Sequence, residues 1–163
     1  MAKKITVDIA LHPLVWKLLK SQYSFDGHAV DVGHDWLYSL IVSSLERRHI
    51  ITASELRRRP KGIVDGKVYI YYEDFIRYGG YIRSARQANI SRVIYRQERE
   101  RLCQTVAVFH IATGIERNKV MRYFLEKEGI EEDELSFETL KKYYQRNYRH
   151  KEDDYYLAIK EMN

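Results

Sequence analysis

The feature that most constrains the fold of this chain is a helical pattern of apolar residues over 84–128, interrupted once at Gly114. Before the glycine, apolar residues recur every three or four positions as far as about Ala112, which predicts one long helix. After it, the same spacing predicts a second helix over Glu116–Glu128, with Gly129 as its C-terminal cap. Because an amphipathic helix must bury its apolar stripe against other elements, this pattern favours a mainly α fold.

The N-terminal half adds short strands to the predicted helices. Residues 4–10 alternate polar and apolar side chains and are rich in β-branched residues, which predicts a strand with Ile5, Val7 and Ile9 facing inward. Further strand candidates are residues 28–32 and 67–72. Shorter helices are predicted over residues 13–23 and 53–58, from an N-cap at Asp35 to about Arg48, after the cap Ser136, and around residues 155–159. We therefore expect a mainly α fold with two or three short β-strands in the N-terminal half.

Length and composition favour a single domain. The 163 residues are 45% apolar, which is enough for one core, so we expect one domain over residues 1–163. Within it, residues 1–66 form a strand–helix–helix segment and residues 67–163 a helical segment. The one cysteine, Cys103, cannot form an internal disulfide, which fits a reducing compartment. The sequence has no window of 18 apolar residues and no signal-peptide pattern, so it predicts a cytoplasmic protein without a membrane partner.

Positive charge is concentrated in the middle of the chain. Residues 1–46 carry a net charge of −1 and residues 102–163 a net charge of −2, whereas residues 47–101 hold fourteen basic and six acidic side chains. Twelve of those fourteen are arginines, whose planar guanidinium binds phosphate through two hydrogen bonds and stacks on flat rings. Six tyrosines lie among them. A nucleic-acid surface requires this combination, because cations bind the backbone and rings contact sugars or bases.

Specific DNA contacts are expected within this basic segment. We assign them to the run Arg57, Arg58 and Arg59 and to three arginines of the long predicted helix, which are Arg86, Arg92 and Arg96. Because residues 47–101 hold the whole charge surplus, we expect them to form the main polyanion-binding surface. The alternative is a solvated helix face, on which the arginines point into water and the tyrosines are half-buried at its edge.

A second signal lies where the helical pattern is interrupted. Residues 109–125 read FHIATGIERNKVMRYFL, in which one helix ends at Thr-Gly-Ile and another follows at once. Gly114 permits the positive φ of a tight turn, and Ile115 is expected to fill the angle between the helices. Packing contacts between the two helices are expected from Phe109, Val120 and Phe124. This stretch resembles the core of helix-turn-helix DNA-binding domains, so we expect a helix-turn-helix-like corner near Gly114.

The resemblance implies a recognition helix that begins after the turn and enters the major groove of duplex DNA. It assigns DNA contacts to the exposed start of that helix, at Arg117, Asn118, Lys119 and Arg122. Arginine pairs with guanine and asparagine with adenine in the groove, and a helix N-terminus also accepts phosphate. Two residues depart from the family pattern, because His110 stands where a small residue is usual and Glu116 adds a negative charge. An ordinary helix–glycine–helix corner is the alternative interpretation.

The start of the chain also resembles ribbon-helix-helix repressors, in which a short strand precedes two amphipathic helices. That resemblance implies strands paired across a dimer, with Lys4, Thr6 and Asp8 facing the bases. Residues 27–35 form a longer insertion than that family carries, and an acidic residue suits a base-facing position poorly. A strand that merely completes a local sheet is the alternative.

The sequence carries no strong catalytic, cofactor-binding or metal-binding pattern. His28 and His34 flank Asp31 and Asp35, but their spacing matches no recognised ligand signature. Cys103 lies among apolar residues, which is typical of a small core residue. We therefore expect a non-enzymatic protein without a cofactor that binds double-stranded DNA and regulates transcription or replication. The alternative is a structural or assembly protein of a phage particle or another large complex, which would oligomerise or bind partner proteins through its Arg and Tyr side chains.

Overall fold

The computed structural model describes residues 3–33, 35–47 and 63–161 of the chain. It is 62% helical, and a small four-stranded mixed sheet lies in the N-terminal half. The expected mainly α fold with strands in the N-terminal half is therefore confirmed, but the sheet has four strands rather than two or three, and two of them are eight residues long. The chain divides into two compact units, Met1–Ile94 and Tyr95–Asn163, and the division falls inside a long helix.

The described elements largely match the periodic segments of the sequence. In chain order they are β1 (Lys4–Leu11), α1 (Pro13–Gln22), β2 (Ser24–Phe25), β3 (Val30–Asp31), α2 (Trp36–Ser43), β4 (Val64–Tyr71), α3 (Tyr72–Tyr78), α4 (Ser84–Thr113), α5 (Arg117–Lys127), α6 (Phe137–Asn147), a 3-10 turn (Arg149–Lys151) and α7 (Glu152–Glu161). The helix expected over 53–58 lies outside the described residues. α2 ends before Arg48, because Glu46 forms an extended bridge to Tyr81. The sequence pattern did not predict α3. Tyr71 ends β4 and Tyr72 begins α3, so no change in residue type marks where the strand ends and the helix begins.

The four strands form one sheet in the order β1-β4-β3-β2. β1 pairs antiparallel with β4 along its whole length, from Lys4 opposite Tyr71 to Leu11 opposite Val64, and β3 joins β4 in parallel at Val30. β1 thus completes a sheet within its own chain. This corrects the pairing across a dimer that the ribbon-helix-helix resemblance implied, because a distant strand of the same chain supplies the hydrogen bonds.

The core of the first unit joins α1 to the sheet. Val7 and Ile9 of β1 are buried as expected, while Ile5 is half-buried. α1 contributes the buried side chains Leu14, Val15, Trp16, Leu18 and Leu19. The Trp16 indole donates a hydrogen bond to the backbone oxygen of Val64 at 2.8 Å. Its ring lies so close to Gly66 that a Cβ there would come within 2.2 Å of a ring carbon, so β4 requires a glycine at this position.

The helices of the second unit bury one face each and are closed by the caps that the sequence predicted. Their buried side chains include Leu102, Cys103, Val106 and Ala107 of α4, Val120, Met121 and Leu125 of α5, and Leu140 and Tyr144 of α6. The Ser136 hydroxyl accepts a hydrogen bond from the Thr139 backbone N–H at 3.1 Å. Gly129 follows α5 with φ of +62°, and the N–H of Ile130 donates to Leu125 at 2.8 Å. These bonds satisfy backbone groups that a helix leaves unpaired at its ends.

Candidate nucleic-acid interface

The turn between α4 and α5 has the backbone conformation that the sequence predicts. Gly114 adopts a φ of +70° between Thr113 at the end of α4 and Arg117 at the start of α5. Its N–H donates to the backbone oxygen of His110 at 2.8 Å. The His110 ring also reaches across the turn, with Nδ1 2.6 Å from the backbone oxygen of Ile115. The His110 side chain therefore contacts the backbone of the turn, at the position where the helix-turn-helix resemblance led us to expect a small residue.

The packing at this corner agrees with the prediction in part. The rings of Phe109 and Phe124 meet edge to face with centroids 5.8 Å apart, and Val120 is buried. Ile115 differs from the prediction, because 44% of it is exposed rather than filling the angle between the helices. The Phe109–Phe124 contact provides the apolar bridge in its place.

The sequence predicted Arg117 as a free side chain that contacts DNA at the start of α5, but the structure places it in an ion pair. Its Nε donates to Glu152 Oε1 at 2.5 Å, and its Nη2 donates to Glu152 Oε2 in a second, parallel hydrogen bond. The Tyr144 hydroxyl donates to the same Oε1 at 2.7 Å. This bidentate pair joins the start of α5 to the start of α7, so the guanidinium is committed to a contact within the protein.

The charge of Glu152 is maintained by this cluster. Desolvation acts to raise the pKa of Glu152, but the hydrogen bonds from Arg117 and Tyr144 and the positive charge of Arg117 outweigh it, so the pKa is lowered. Burial and the bond to Glu152 raise the pKa of the Tyr144 hydroxyl, which stays protonated as the donor. The cluster is therefore a stable ionic contact at neutral pH.

The remaining α5 candidates lie at or near the surface. Lys119 and Arg122 are exposed, and Asn118 is half-buried, with its amide 3.4 Å from the Glu116 carboxylate. The Arg122 guanidinium lies 4.4 Å from the centroid of the Phe137 ring. Within the described part of the chain, neither Lys119 nor Arg122 has a carboxylate within 4.0 Å. These two cations are consequently available to an outside ligand.

The arginines of residues 47–101 are largely paired where the structure describes them. Arg57, Arg58 and Arg59 lie outside the described residues. Arg86 lies 3.0 Å from the Glu46 carboxylate and donates to the Ser44 backbone oxygen at 3.3 Å, and Arg83 lies 2.6 Å from the same Glu46. Arg96 pairs with Glu100 at 3.0 Å. Arg92 is exposed. Of the three arginines on α4 that were assigned to DNA contacts, Arg86 and Arg96 are thus paired with carboxylates. Arg92 and Arg96 also belong to different compact units, because the division falls between Ile94 and Tyr95.

The tyrosines of the same segment also make contacts inside the protein. The Tyr69 hydroxyl donates to Asp26 at 2.7 Å, and the Tyr71 ring meets the Tyr38 ring edge to face at 5.4 Å. Arg99 lies 3.8 Å from the centroid of the Tyr143 ring. Arg and Tyr side chains interleaved in a sequence can therefore contact each other and carboxylates inside the fold, as well as form a surface that binds a ligand. The sequence alone does not distinguish these two arrangements.

A basic segment that the sequence analysis missed lies at the end of α6. Residues 141–151 hold five Lys and Arg residues and one His, with no Asp or Glu. Lys142, Arg146 and Arg149 are exposed. Summing charge over residues 102–163 concealed this segment, because acidic residues before and after it cancel its charge. A shorter window, of about ten residues, is the signal that finds it.

Across residues 3–33, 35–47 and 63–161, no group of three or more His, Cys, Asp or Glu side chains is arranged to hold a metal ion, and His34 lies outside these ranges. Burial raises the pKa of the Cys103 thiol to about 12, which disfavours the nucleophilic thiolate. Among the described helices, none combines the length and the apolar character needed to cross a bilayer.

Comparison with protein-family models, with curated proteins and with solved structures gives no match for this chain. Function is therefore inferred from the geometry of the chain itself.

Proposed function

We propose that this chain is a non-enzymatic protein that binds double-stranded DNA with α5 in the major groove and that it regulates transcription or replication. The observation that carries the proposal is the pair of exposed, uncompensated cations Lys119 and Arg122 on a helix that directly follows the left-handed Gly114 turn. Lysine and arginine are the side chains that most often contact guanine in the major groove.

The face of α5 that points away from the protein suits this role. Its buried side chains are Val120, Met121 and Leu125, and the exposed ones, at helical spacing, are Lys119, Arg122, Tyr123, Glu126 and Lys127. The eleven residues of α5 span about 16 Å, and the major groove is about 12 Å wide and admits one helix. Glu126 supplies an acceptor for cytosine, so the face offers both hydrogen-bond donors and an acceptor to base edges.

Arg117 and Asn118 take different parts in this proposal. Arg117 holds the start of α5 in place through Glu152, and it contributes to binding by positioning the helix rather than by contacting a base. Asn118 lies at the margin of the exposed face, next to Glu116. The exposed cations of α5 are therefore the ones whose removal tests base recognition.

The test selects preferred sequences from a random duplex library and then compares binding to preferred and random DNA. We expect Lys119→Ala and Arg122→Ala each to cost about 1–3 kcal/mol on the preferred duplex and much less on random DNA, because base contacts specify and phosphate contacts position. Lys160→Ala, which removes the same charge from an exposed position on α7, is the matched control. Equal losses on both duplexes would contradict recognition by α5.

A second candidate function is a structural or assembly protein, and one observation favours it. Tyr156 and Leu157 are neighbours on α7 and are 57% and 58% exposed. Adjacent exposed apolar side chains are typical of a surface that another protein covers. Sedimentation that shows concentration-dependent assembly, abolished by Leu157→Glu, together with no selection of any duplex sequence, would favour this function over DNA recognition.

A further inference from the structure

Three exposed cations, Lys142, Arg146 and Arg149, lie within eight residues on the last turns of α6 and the 3-10 turn that follows it, and we name them the α6 basic surface. Lys142 and Arg146 are four residues apart on one helix, which places their Cβ atoms about 5–6 Å from each other. Among the residues that the structure describes, none of the three has a carboxylate within 4.0 Å. This contrasts with Arg86 and Arg96, which carboxylates of the protein already neutralise.

Three of the carboxylates that lie near α6 are bound to other groups, whereas Asp153 and Asp154, four and five residues after Arg149, are exposed and lie beyond 4.0 Å of its guanidinium. Glu152 accepts hydrogen bonds from Arg117 and Tyr144. Glu100 accepts from Arg96 at 3.0 Å and from the Tyr143 hydroxyl at 3.2 Å. At the other end of the helix, Glu138 lies 3.7 Å from Lys141. The positive charge of the α6 basic surface is therefore not cancelled by these neighbours.

The opposite face of α6 anchors this surface firmly. Leu140, Tyr144 and Tyr148 are buried, and the rings of Tyr144 and Tyr148 stack with centroids 6.0 Å apart. The Arg99 guanidinium lies 3.8 Å from the centroid of the Tyr143 ring. Because the backbone that carries the cations is fixed by these contacts, a ligand that binds them orders only their side chains.

We propose that the α6 basic surface binds the phosphate backbone of duplex DNA without regard to sequence. The proposal rests on the proposed function, since it adds a second contact surface for the same ligand. A duplex carries one negative charge per about 1.7 Å of its axis, so cations one helical turn apart meet several phosphates. His150 and Lys151 are left out of the surface, because Lys151 is followed by three acidic residues, Glu152, Asp153 and Asp154, of which the last two are exposed.

In this proposal, the exposed face of α5 and the α6 basic surface contact different parts of the DNA. Arg122 of α5 packs on the ring of Phe137, the first residue of α6, so the two helices are in contact. α5 presents the side chains proposed to contact base edges, and the α6 basic surface presents charge alone. Removing the α6 cations is therefore expected to weaken binding uniformly and to leave sequence preference unchanged.

The experiment measures binding to a random-sequence 20-base-pair duplex over a series of KCl concentrations. For the triple variant Lys142→Ala, Arg146→Ala and Arg149→Ala, we expect the slope of log K against log salt to fall by up to about 2.7, which is about 0.9 for each lost phosphate contact. The charge-conserving triple Lys142→Arg, Arg146→Lys and Arg149→Lys is expected to keep the wild-type slope. A control triple, Lys3→Ala, Lys20→Ala and Lys160→Ala, removes the same charge from exposed positions outside both the α6 basic surface and residues 47–101.

An unchanged slope in the α6 triple, or an equal fall in the α6 and control triples, would overturn the proposal. Because the substituted side chains are exposed, the variants are expected to fold, and circular dichroism melts verify this. Failure of the proposed function has a different signature. If duplex DNA binds but Lys119→Ala and Arg122→Ala leave sequence preference unchanged, recognition by α5 fails, whereas a lower slope in the α6 triple still supports backbone binding.

Discussion

At the scale of single residues, carboxylate partners decide what each arginine of this protein does. Arg86, Arg96 and Arg117 are alike in sequence, yet each meets a glutamate of its own compact unit. Lys142 and Arg146 meet none among the described residues. A cation held by a carboxylate stabilises the fold, whereas an uncompensated one attracts an anionic ligand. Proximity of opposite charges therefore divides the basic side chains into those paired within the fold and those that we propose to bind DNA.

The Arg117–Glu152 pair leads to a prediction about stability and pH. The pKa of Glu152 is lowered in the folded protein, so the pair stabilises the fold above the unfolded pKa and loses its effect as pH falls through the lowered value. We expect Arg117→Ala to reduce the free energy of unfolding at pH 7 by about 1–2 kcal/mol, a value discounted because 38% of the Arg117 side chain is exposed.

Urea unfolding followed by circular dichroism at pH 7 and at pH 3 measures this effect. The difference between wild type and Arg117→Ala is expected to shrink at the lower pH, and Lys119→Ala, which removes an exposed cation of the same helix, serves as the control. A loss of stability that is the same at both pH values would show that the ion pair is not its cause.

At the scale of elements, the corner between α4 and α5 depends on one backbone conformation. Gly114 has φ of +70°, and a Cβ built there would meet no atom within 4 Å. The cost of a side chain at this position is consequently backbone strain alone, without a clash. The Phe109–Phe124 contact and the bond between His110 and Ile115 then hold the two helices at the corner.

We predict that Gly114→Val lowers the free energy of unfolding by about 1–3 kcal/mol, because a β-branched residue adopts positive φ with strain. Gly114→Asn is expected to cost less, since asparagine tolerates the left-handed region. Thermal and denaturant unfolding of both variants measure the difference. Equal stability of the Val variant and wild type would contradict the strained turn.

At the scale of the whole molecule, the local distribution of charged side chains says more about where an anionic ligand can bind than the net charge does. The second unit, Tyr95–Asn163, has thirteen basic and fourteen acidic side chains and so is nearly neutral. Its acidic residues concentrate in 126–138, whereas 141–151 contain none. A nearly neutral unit can therefore present a strongly positive surface, because exposed charges interact mainly within a Debye length of about 8–10 Å.

The reactivity of Cys103, the one cysteine of the chain, indicates whether the second unit is folded. Burial raises the pKa of the Cys103 thiol to about 12, so its thiolate is scarce at pH 8 in the folded protein. We predict that iodoacetamide labels Cys103 at pH 8 at least about a hundredfold more slowly in the native protein than in urea, because the native thiol is buried and protonated whereas in urea its pKa returns to about 8.5. Mass spectrometry of timed samples gives both rates. Comparable rates would contradict the buried position of the thiol.

Much of the local structure followed from the sequence by itself. The strand β1, the helices α1, α4 and α5, and the caps Ser136 and Gly129 lie where periodicity and capping residues placed them. The left-handed Gly114 was predicted for the same reason. These features depend on interactions between residues at most a few positions apart, which a pattern in the chain records directly.

Only the tertiary structure decided which strand pairs with β1 and which cations are free. β1 pairs with β4, far along the chain, and Arg117 binds Glu152, thirty-five residues away. Charge counts over long segments favoured residues 47–101 as the binding surface, and Arg92 there is exposed, but the fold pairs Arg86 and Arg96 with carboxylates. The same counts did not single out Lys142 and Arg146, which the fold leaves uncompensated on α6. The reason is physical: whether a charge is neutralised depends on distances of a few ångströms in space, and spacing along the chain does not determine those distances.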